Sequence, residues 1–412
     1  NVADRTIDKA RFGEHFYADK VPGQSLLAVP AVAAARAAFG ALGWETDSRD
    51  LATFARYVLV GTLATNVLFS SIAVASLFLI ARWLGAGQGA AVFAAGSLAL
   101  ATPFFGWSTA FFAHSLSGSL LLIGTGLVIL TLKGRRTLPL AAVTGIVMSY
   151  TAVVDLTTAP SLVLLGLVAL VLAWRRARLA PMLAGFAIGG TLGALPLLVY
   201  NQLAFGSPFR LGYSNVVGWE GMKQGVFGVQ LPNPLVTAEL LFGLYRGILP
   251  LAPVLILVPV GLWLMAQGRL ARPFALLVGG VVLLHLTINS GYFYWNGGWS
   301  TGPRHLIPAL PLAALALAWA WPHRKGGRVT VLVLLVASMV ISILCAAGGM
   351  FAPEDLRNPF FESVLPNFLN NGSWPRLIPV LLAWGVLAWL LQRTEAAPLR
   401  TGSSAGLQAA AE

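Results

Sequence analysis

Apolar stretches long enough to cross a bilayer recur along most of the chain, divided by short polar connectors. A spanning helix needs about 20 mainly apolar residues. On that window, spans are predicted near residues 56–80, 87–104, 113–132, 138–153, 157–174, 181–203, 249–267, 274–294, 305–321, 329–349 and 377–392. The expected fold is an all-α polytopic membrane bundle of about eleven visible helices.

Ahead of the first span, residues 24–43 are apolar but broken by Pro30 and Arg36 and followed by a polar run at 45–50, the pattern of a helix lying along the interface. Three connectors are longer than a turn requires: 1–50, 204–248 and 350–376. Long loops on one face are where function tends to sit. The chain therefore divides into a first loop with its interfacial helix (1–50), six spans (51–203), a long loop (204–248), five spans (249–392) with loops at 295–304 and 350–376, and a small-residue tail (393–412) expected to be disordered. The opening reads as the middle of a loop, so one further span is expected before Asn1, for about twelve crossings.

Composition changes the picture in one respect, by excluding water as the main solvent. The chain is 57% hydrophobic and 10% charged, with a mean hydropathy of +0.77, whereas soluble domains carry about 25% charged residues. The net charge of +12 does not point to nucleic acid, because the basic residues fall in alternate short loops, as membrane topology requires. One set of loops holds Arg82, Lys133, Arg135, Arg136, Arg175, Arg176, Arg178, Arg269, Arg272, Arg324, Lys325, Arg328 and Arg393. The other set holds nearly all the acids, from Asp4 and Asp8 through Glu45, Glu220 and Glu239 to Glu354 and Glu362. Cytoplasmic loops favour Lys and Arg, so the acidic loops are expected outside and the carboxyl terminus inside. Cys345 is the sole cysteine, which excludes an internal disulfide and any CxxC motif.

Three segments carry candidate chemistry. In the first, Asp8 and Lys9 precede His15, Tyr17, Asp19 and Lys20. A carboxylate there can act as general base and an ammonium can hold a phosphate, although a solvated loop has the same composition. The second runs from Tyr200 through Phe205-Gly206-Ser207-Pro208 to Arg210 and Tyr213, with Arg246 after the following loop, near headgroup level. A turn presents Arg210 among aromatics to an anion or a sugar face; an interfacial aromatic belt is the alternative. The third, Tyr292 to His305, contains Gly297-Gly298-Trp299-Ser300-Thr301-Gly302-Pro303-Arg304. Its glycines admit a ligand to the backbone, Trp299 offers a stacking face, and Arg304 and His305 open a span.

Asp19-Lys20-Val21-Pro22, followed by the interfacial helix, resembles the acid-Lys-Pro-Pro first loop of GT-C glycosyltransferases, including the protein O-mannosyltransferase and aminoarabinose transferase branches. The two later segments resemble the Phe-Gly-Ser-Pro and Gly-Gly-Trp-Ser-x-Gly-Pro-Arg loops of the bacterial mannosyltransferase-like branch, in the same order. The resemblance implies a GT-C-like bundle in a bacterial inner membrane, a polyprenyl-phosphate-linked sugar as donor, and Lys20 on the carrier phosphate. It assigns the catalytic acid to the first loop, at Asp8 or Asp19, with Asp4 as a weaker candidate. Family members vary in metal use, so a divalent metal ion stays open, with no metal ligand assigned.

Two polar residues at span ends, His114 and Asp155, are candidates to line the donor cavity; an interfacial residue hydrated from outside is the alternative for each. His285 lies inside a span and is read as a packing histidine. No GxSxG, HExxH or phosphate-loop sequence occurs. The expected function is transfer of a sugar from a lipid carrier to an extracytoplasmic hydroxyl. The alternatives are a secondary transporter or flippase of lipid-linked sugars, and a noncatalytic membrane protein of envelope assembly.

Overall fold

In a bilayer every backbone amide needs an internal partner, and a helix provides one for nearly every residue. The computed structural model describes residues 6–322, 325–372 and 374–396. Each of the eleven apolar runs folds as helix in it. Asp4 and the tail from 397 to 412 lie outside the described residues.

The chain opens on a small antiparallel hairpin, β1 (Lys9–Phe12) and β2 (His15–Ala18), with Lys9 opposite Ala18 and Phe12 opposite His15. Gly13 makes the turn at φ 61°, where a side chain would be strained. Next come α1 (Gly23–Ala41) and α2 (Leu51–Thr62). A π-helical turn, Leu63–Val67, joins α2 to α3 (Leu68–Trp83). The body continues with α4 (Gln88–Leu100), α5 (Phe104–Ser108), α6 (Ala113–Lys133), α7 (Thr137–Val154), α8 (Ala159–Trp174) and α9 (Leu179–Phe205). After a long loop follow α10 (Pro234–Phe242), α11 (Ile248–Leu251), α12 (Val258–Gln267) and α13 (Arg272–Gly291). The last elements are α14 (Leu310–Ala320), α15 (Lys325–Gly348), α16 (Leu365–Asn370) and α17 (Ile378–Ala396).

Among the described residues, eight helical stretches are long and apolar enough to cross a membrane: Gly23–Ala41, Leu51–Trp83, Ala113–Lys133, Thr137–Val154, Leu156–Trp174, Leu179–Phe205, Arg272–Gly291 and Gly326–Gly348. The chain is thus a multi-pass helical membrane protein. Four shorter apolar helices, Gln88–Leu100, Pro253–Gln267, Arg304–Ala320 and Ile378–Thr394, account for the other runs. Two of them are short because they are interior. α4 is buried from Ala90 to Leu98 and α14 along nearly its whole length, and together with α6 they make the centre of the bundle. The outer helices carry exposed apolar stripes instead, such as Val163, Leu167 and Val171 on α8 and Ile188, Leu192 and Leu195 on α9. Such stripes face hydrocarbon rather than water.

Two packing devices hold helix pairs together. α7 and α9 pack tightly because Gly185, Gly189 and Gly193 recur every four residues; a Cβ on Gly189 would collide with the Ala142 carbonyl. α1 runs back along α2: Gln24 donates to Asn66 Oδ1 at 2.7 Å, and further along Phe39 stacks on Tyr57 at 5.9 Å. Asn66 in turn donates to the Phe112 carbonyl and to Ser115 Oγ, which ties this helical hairpin to the start of α6.

Candidate functional site

The long connectors meet at one end of the bundle and are stitched together by backbone hydrogen bonds. Ala10 lies opposite Val216, and Val217 N donates to the Lys9 carbonyl at 3.0 Å. Phe293 N donates to the Gly228 carbonyl at 2.9 Å. Thr301 N and Ser300 N donate to the carbonyls of Met350 and Ala352 at 2.8 and 2.9 Å. The first loop, the 204–248 loop, the glycine-rich loop and the 350–376 segment therefore form one continuous layer. Peptide groups that leave regular structure need such partners.

Within this layer lies an acidic group held by one lysine. Lys20 Nζ is 2.8 Å from Asp19 Oδ2 and 3.5 Å from Asp8 Oδ1, and it stands over the Tyr213 ring at 5.9 Å. Gly212 lets the chain pass directly against the Asp19 backbone, a place a Cβ would occupy. Asp19 is buried, with its side chain 2% exposed and Oδ1 unpartnered, whereas Asp8 is half-exposed. Burial raises the Asp19 carboxyl above the ordinary carboxylate range, and Lys20 only partly offsets it. Burial also pushes Tyr213 up, and Tyr292 and Tyr294 to about 12, so all three phenols stay protonated donors near neutral pH.

Beside this group, three helix ends contribute a histidine and arginine cluster. Asp155 caps the turn Leu156–Thr158, accepting from Thr157 N at 3.1 Å and Thr157 Oγ1 at 2.6 Å. Its Oδ2 accepts from Ser117 Oγ at 3.2 Å and meets His114 Nδ1 at 2.9 Å. Burial alone would raise the Asp155 carboxyl, but His114 and Thr157 outweigh it and hold the group below the ordinary carboxylate range. An ionised Asp155 only accepts, so His114 Nδ1 carries the proton of this hydrogen bond. The His114 ring packs edge-on against His305 at 5.2 Å, and His305 does the same with Tyr292 at 5.5 Å. His285 of α13 lies behind, with Nδ1 3.3 Å from the His305 carbonyl.

Arg304 completes the cluster. Its guanidinium lies over the Phe112 ring at 5.5 Å, and Asp8, Tyr292, Tyr294 and Glu354 act on it electrostatically. No carboxylate lies within ion-pair distance of Arg304 among the described residues, and its Nε is buried without a partner, as is His305 Nε2. Buried donors of this kind are normally satisfied. The site thus divides into a carboxylate side, where two acids share one lysine, and a cationic side with unused donors. The first suits proton abstraction and the second suits an anion such as a phosphate.

Seven of the residues singled out in the sequence converge here: Asp8, Asp19, Lys20, His114, Asp155, Arg304 and His305. Five do not. His15 is exposed at the hairpin turn, and Tyr17 packs on Phe205 at 5.4 Å. Arg210 lies over Phe12 at 5.0 Å and donates to the Phe205 carbonyl, which fixes the outer side of the hairpin. Trp299 is 61% exposed at the loop surface. Arg246 is fully buried; it donates to the carbonyls of Asn296 at 2.7 Å and Gly298 at 2.8 Å and clamps the glycine-rich loop. Tyr213, Tyr292 and Glu354 enter the site as well. Glu354 accepts from Tyr294 at 2.6 Å. The aromatics stood in the quoted segments, but nothing in the sequence separated them from belt residues.

Tyr213 also borders a cavity of about 350 Å³ with Met222, Lys223 and Phe227, so a groove adjoins the polar cluster. Among the described residues no three or more His, Cys, Asp or Glu gather as a metal-holding group. The chain matches no protein-family model and no curated protein.

Proposed function

We propose that the chain is a GT-C-like membrane glycosyltransferase that moves a sugar from a polyprenyl-phosphate carrier to an extracytoplasmic hydroxyl, in a bacterial inner membrane. The observation that carries this reading is the pairing of a carboxylate–lysine group with an acid-free Arg304 at one end of the bundle. A glycosyl transfer needs both: a base for the acceptor and a cation for the leaving phosphate.

In this mechanism the acceptor oxygen attacks the anomeric carbon while its proton passes to a carboxylate. The bond from that carbon to the phosphate oxygen breaks, and the carrier phosphate leaves with the electron pair. Asp8, half-exposed, is the carboxylate an acceptor reaches from solvent; buried Asp19 holds Lys20 in place. Lys20 is already shared by two acids, so Arg304 takes the larger part of the phosphate charge, with Tyr292 as a neutral donor. The His114–Asp155 pair orients His305 beside them.

Sidedness supports the lipid-linked donor. Basic residues line the opposite end, which the positive-inside rule puts in the cytoplasm. Nucleotide sugars are confined there, so an outward site needs a carrier that has been flipped. On this reading α1 lies at the interface, and the other seven long helices with the four shorter ones make about eleven crossings.

A transporter is the second reading, favoured by Asn289 and His285, which lie inside α13 with buried, unpartnered side-chain atoms. Turnover separates the two. Purified protein given polyprenyl-phosphate sugars is expected to release the carrier phosphate, with large losses in Asp8→Asn, Lys20→Ala and Arg304→Ala. Wild-type rates in all three variants would sink the transferase reading, and movement of intact donor across proteoliposomes without turnover would establish the other.

A further inference from the structure

The opposite end of the bundle holds only cations among its described charged side chains. Most of them are engaged. Arg82, Arg272 and Arg328 each donate to a backbone carbonyl, and Arg393 lies over Trp389 at 4.5 Å. Arg135, Arg136, Arg175 and Arg269 do not donate to any protein group among the described residues, and three of these four are gathered in one place.

The gathering has a built cause. Arg176 Nη1 donates to the Leu132 carbonyl at 2.9 Å, and Arg178 Nη1 donates to the same carbonyl at 3.1 Å and to that of Gly134. These are carbonyls that the end of α6 leaves without helical partners. The α8–α9 connector is thereby fastened onto the α6–α7 connector. Ala177, at φ 53°, turns the backbone so that its two neighbours reach the same acceptors. Lys133, over Trp83 at 5.4 Å, adds a further charge. Directly beside them Leu138 and Trp174 stand exposed, 44% and 68%.

We infer that this cluster is a binding site for a phospholipid that carries two phosphates. Its headgroup lies across Arg135, Arg136 and Arg175, and its chains run down past Leu138 and Trp174. Free guanidiniums pair with phosphate oxygens through two parallel hydrogen bonds. A headgroup with a single phosphodiester leaves two of the three free guanidiniums uncompensated, whereas two phosphodiesters leave only one. The adjoining apolar side chains select an amphiphile over a soluble polyanion, and basic pockets between helices at a membrane surface take such lipids. The site is independent of the chemistry at the other end.

The full chain in neutral detergent is titrated with tetraoleoyl cardiolipin, with dioleoyl phosphatidylglycerol at equal phosphate, and with pyrophosphate, reading bound lipid by native mass spectrometry and the melting temperature alongside. Cardiolipin is expected to bind at least tenfold more tightly than phosphatidylglycerol and to raise the melting temperature. The triple variant Arg135→Ala, Arg136→Ala, Arg175→Ala is expected to lose that tenfold preference, while Arg269→Ala keeps it. Each single variant should weaken cardiolipin two- to fivefold, which keeps the test decisive if the triple variant folds poorly. Unchanged affinity in the variants, an equal loss in Arg269→Ala, equal binding of phosphatidylglycerol, or the same melting shift with pyrophosphate would each overturn the inference.

Discussion

The two ends of the bundle use charge in opposite ways. At the loop end, charges of both signs are drawn inside: Asp19 and Asp155 are buried, and Arg304 has a buried nitrogen without a partner. At the other end the cations are exposed and of one sign, and those that bond do so mainly to carbonyls at helix termini. Exposed charge costs the fold little, and its pattern reports topology. Buried charge costs several kcal/mol unless it is paired, so its persistence in one place makes that place the candidate site. The contrast makes the loop end the one where single substitutions should matter most.

The largest effect is expected at Arg304. Removing its guanidinium takes away a cation of the site that has no protein acid in ion-pair reach among the described residues, and loss of one such electrostatic group lowers turnover by about 10²–10³-fold. Arg304→Ala should fall by that factor with polyprenyl-phosphate donors, while Arg269→Ala at the other end keeps wild-type turnover. Equal losses in the two would erase the distinction between the ends.

Next is the His114–Asp155 pair, where the cost falls on the fold. Asp155 accepts from Thr157, Ser117 and His114 at once. Breaking a buried pair by removing one partner costs roughly 3–5 kcal/mol, and Asp155→Ala also removes the cap of the turn Leu156–Thr158. A drop in melting temperature well beyond that of Arg136→Ala, whose exposed side chain donates to no protein group among the described residues, is the expected measurement.

These contrasts also show how far the sequence could be read. The apolar runs were legible because a spanning helix needs length and apolarity, not a precise partner. The number of crossings was not, since α4 and α14 are apolar on all sides whether protein or lipid surrounds them. The β1–β2 hairpin escaped notice because four-residue strands such as Lys9–Phe12 carry too short an alternation to stand out. At the site, Asp8 and Lys20 were visible as charged residues of the first loop, and Arg304 as a cation at the start of a predicted span. The clamp role of Arg246 was not, because burial beneath Asn296 and Gly298 depends on how two distant loops meet. Tyr213 and Tyr292 were hidden for the same reason.

Asp19 gives a smaller effect whose sign is informative. Burial raises its folded carboxyl above the ordinary value of 3.8, so the folded state holds a proton that the unfolded chain gives up. Stability is then lost as pH rises from about the unfolded value through the raised one. Asp19→Asn removes that loss. It should melt slightly above wild type at pH 8, with the difference shrinking toward pH 4, and it should be slower in turnover because Lys20 loses its nearer partner. A variant that melts lower at pH 8 would mean that Lys20 more than offsets the burial of Asp19.

The smallest effect lies at the basic end and concerns the backbone. Ala177 adopts φ 53°, a left-handed conformation that costs a residue with a Cβ about 1 kcal/mol relative to glycine. Glycine relieves this strain but gives the unfolded chain more freedom to lose. Ala177→Gly is therefore expected to stabilise by no more than about 0.5 kcal/mol. Ala177→Val, whose branched side chain tolerates this region least, should destabilise by more than that and loosen Arg176 and Arg178 from the end of α6. The pair is best compared by melting in neutral detergent and again with cardiolipin. If Val melted above Gly, the connector would owe its shape to the arginine bonds alone, and the exposed cations would be structural to a degree that the contrast between the two ends denies.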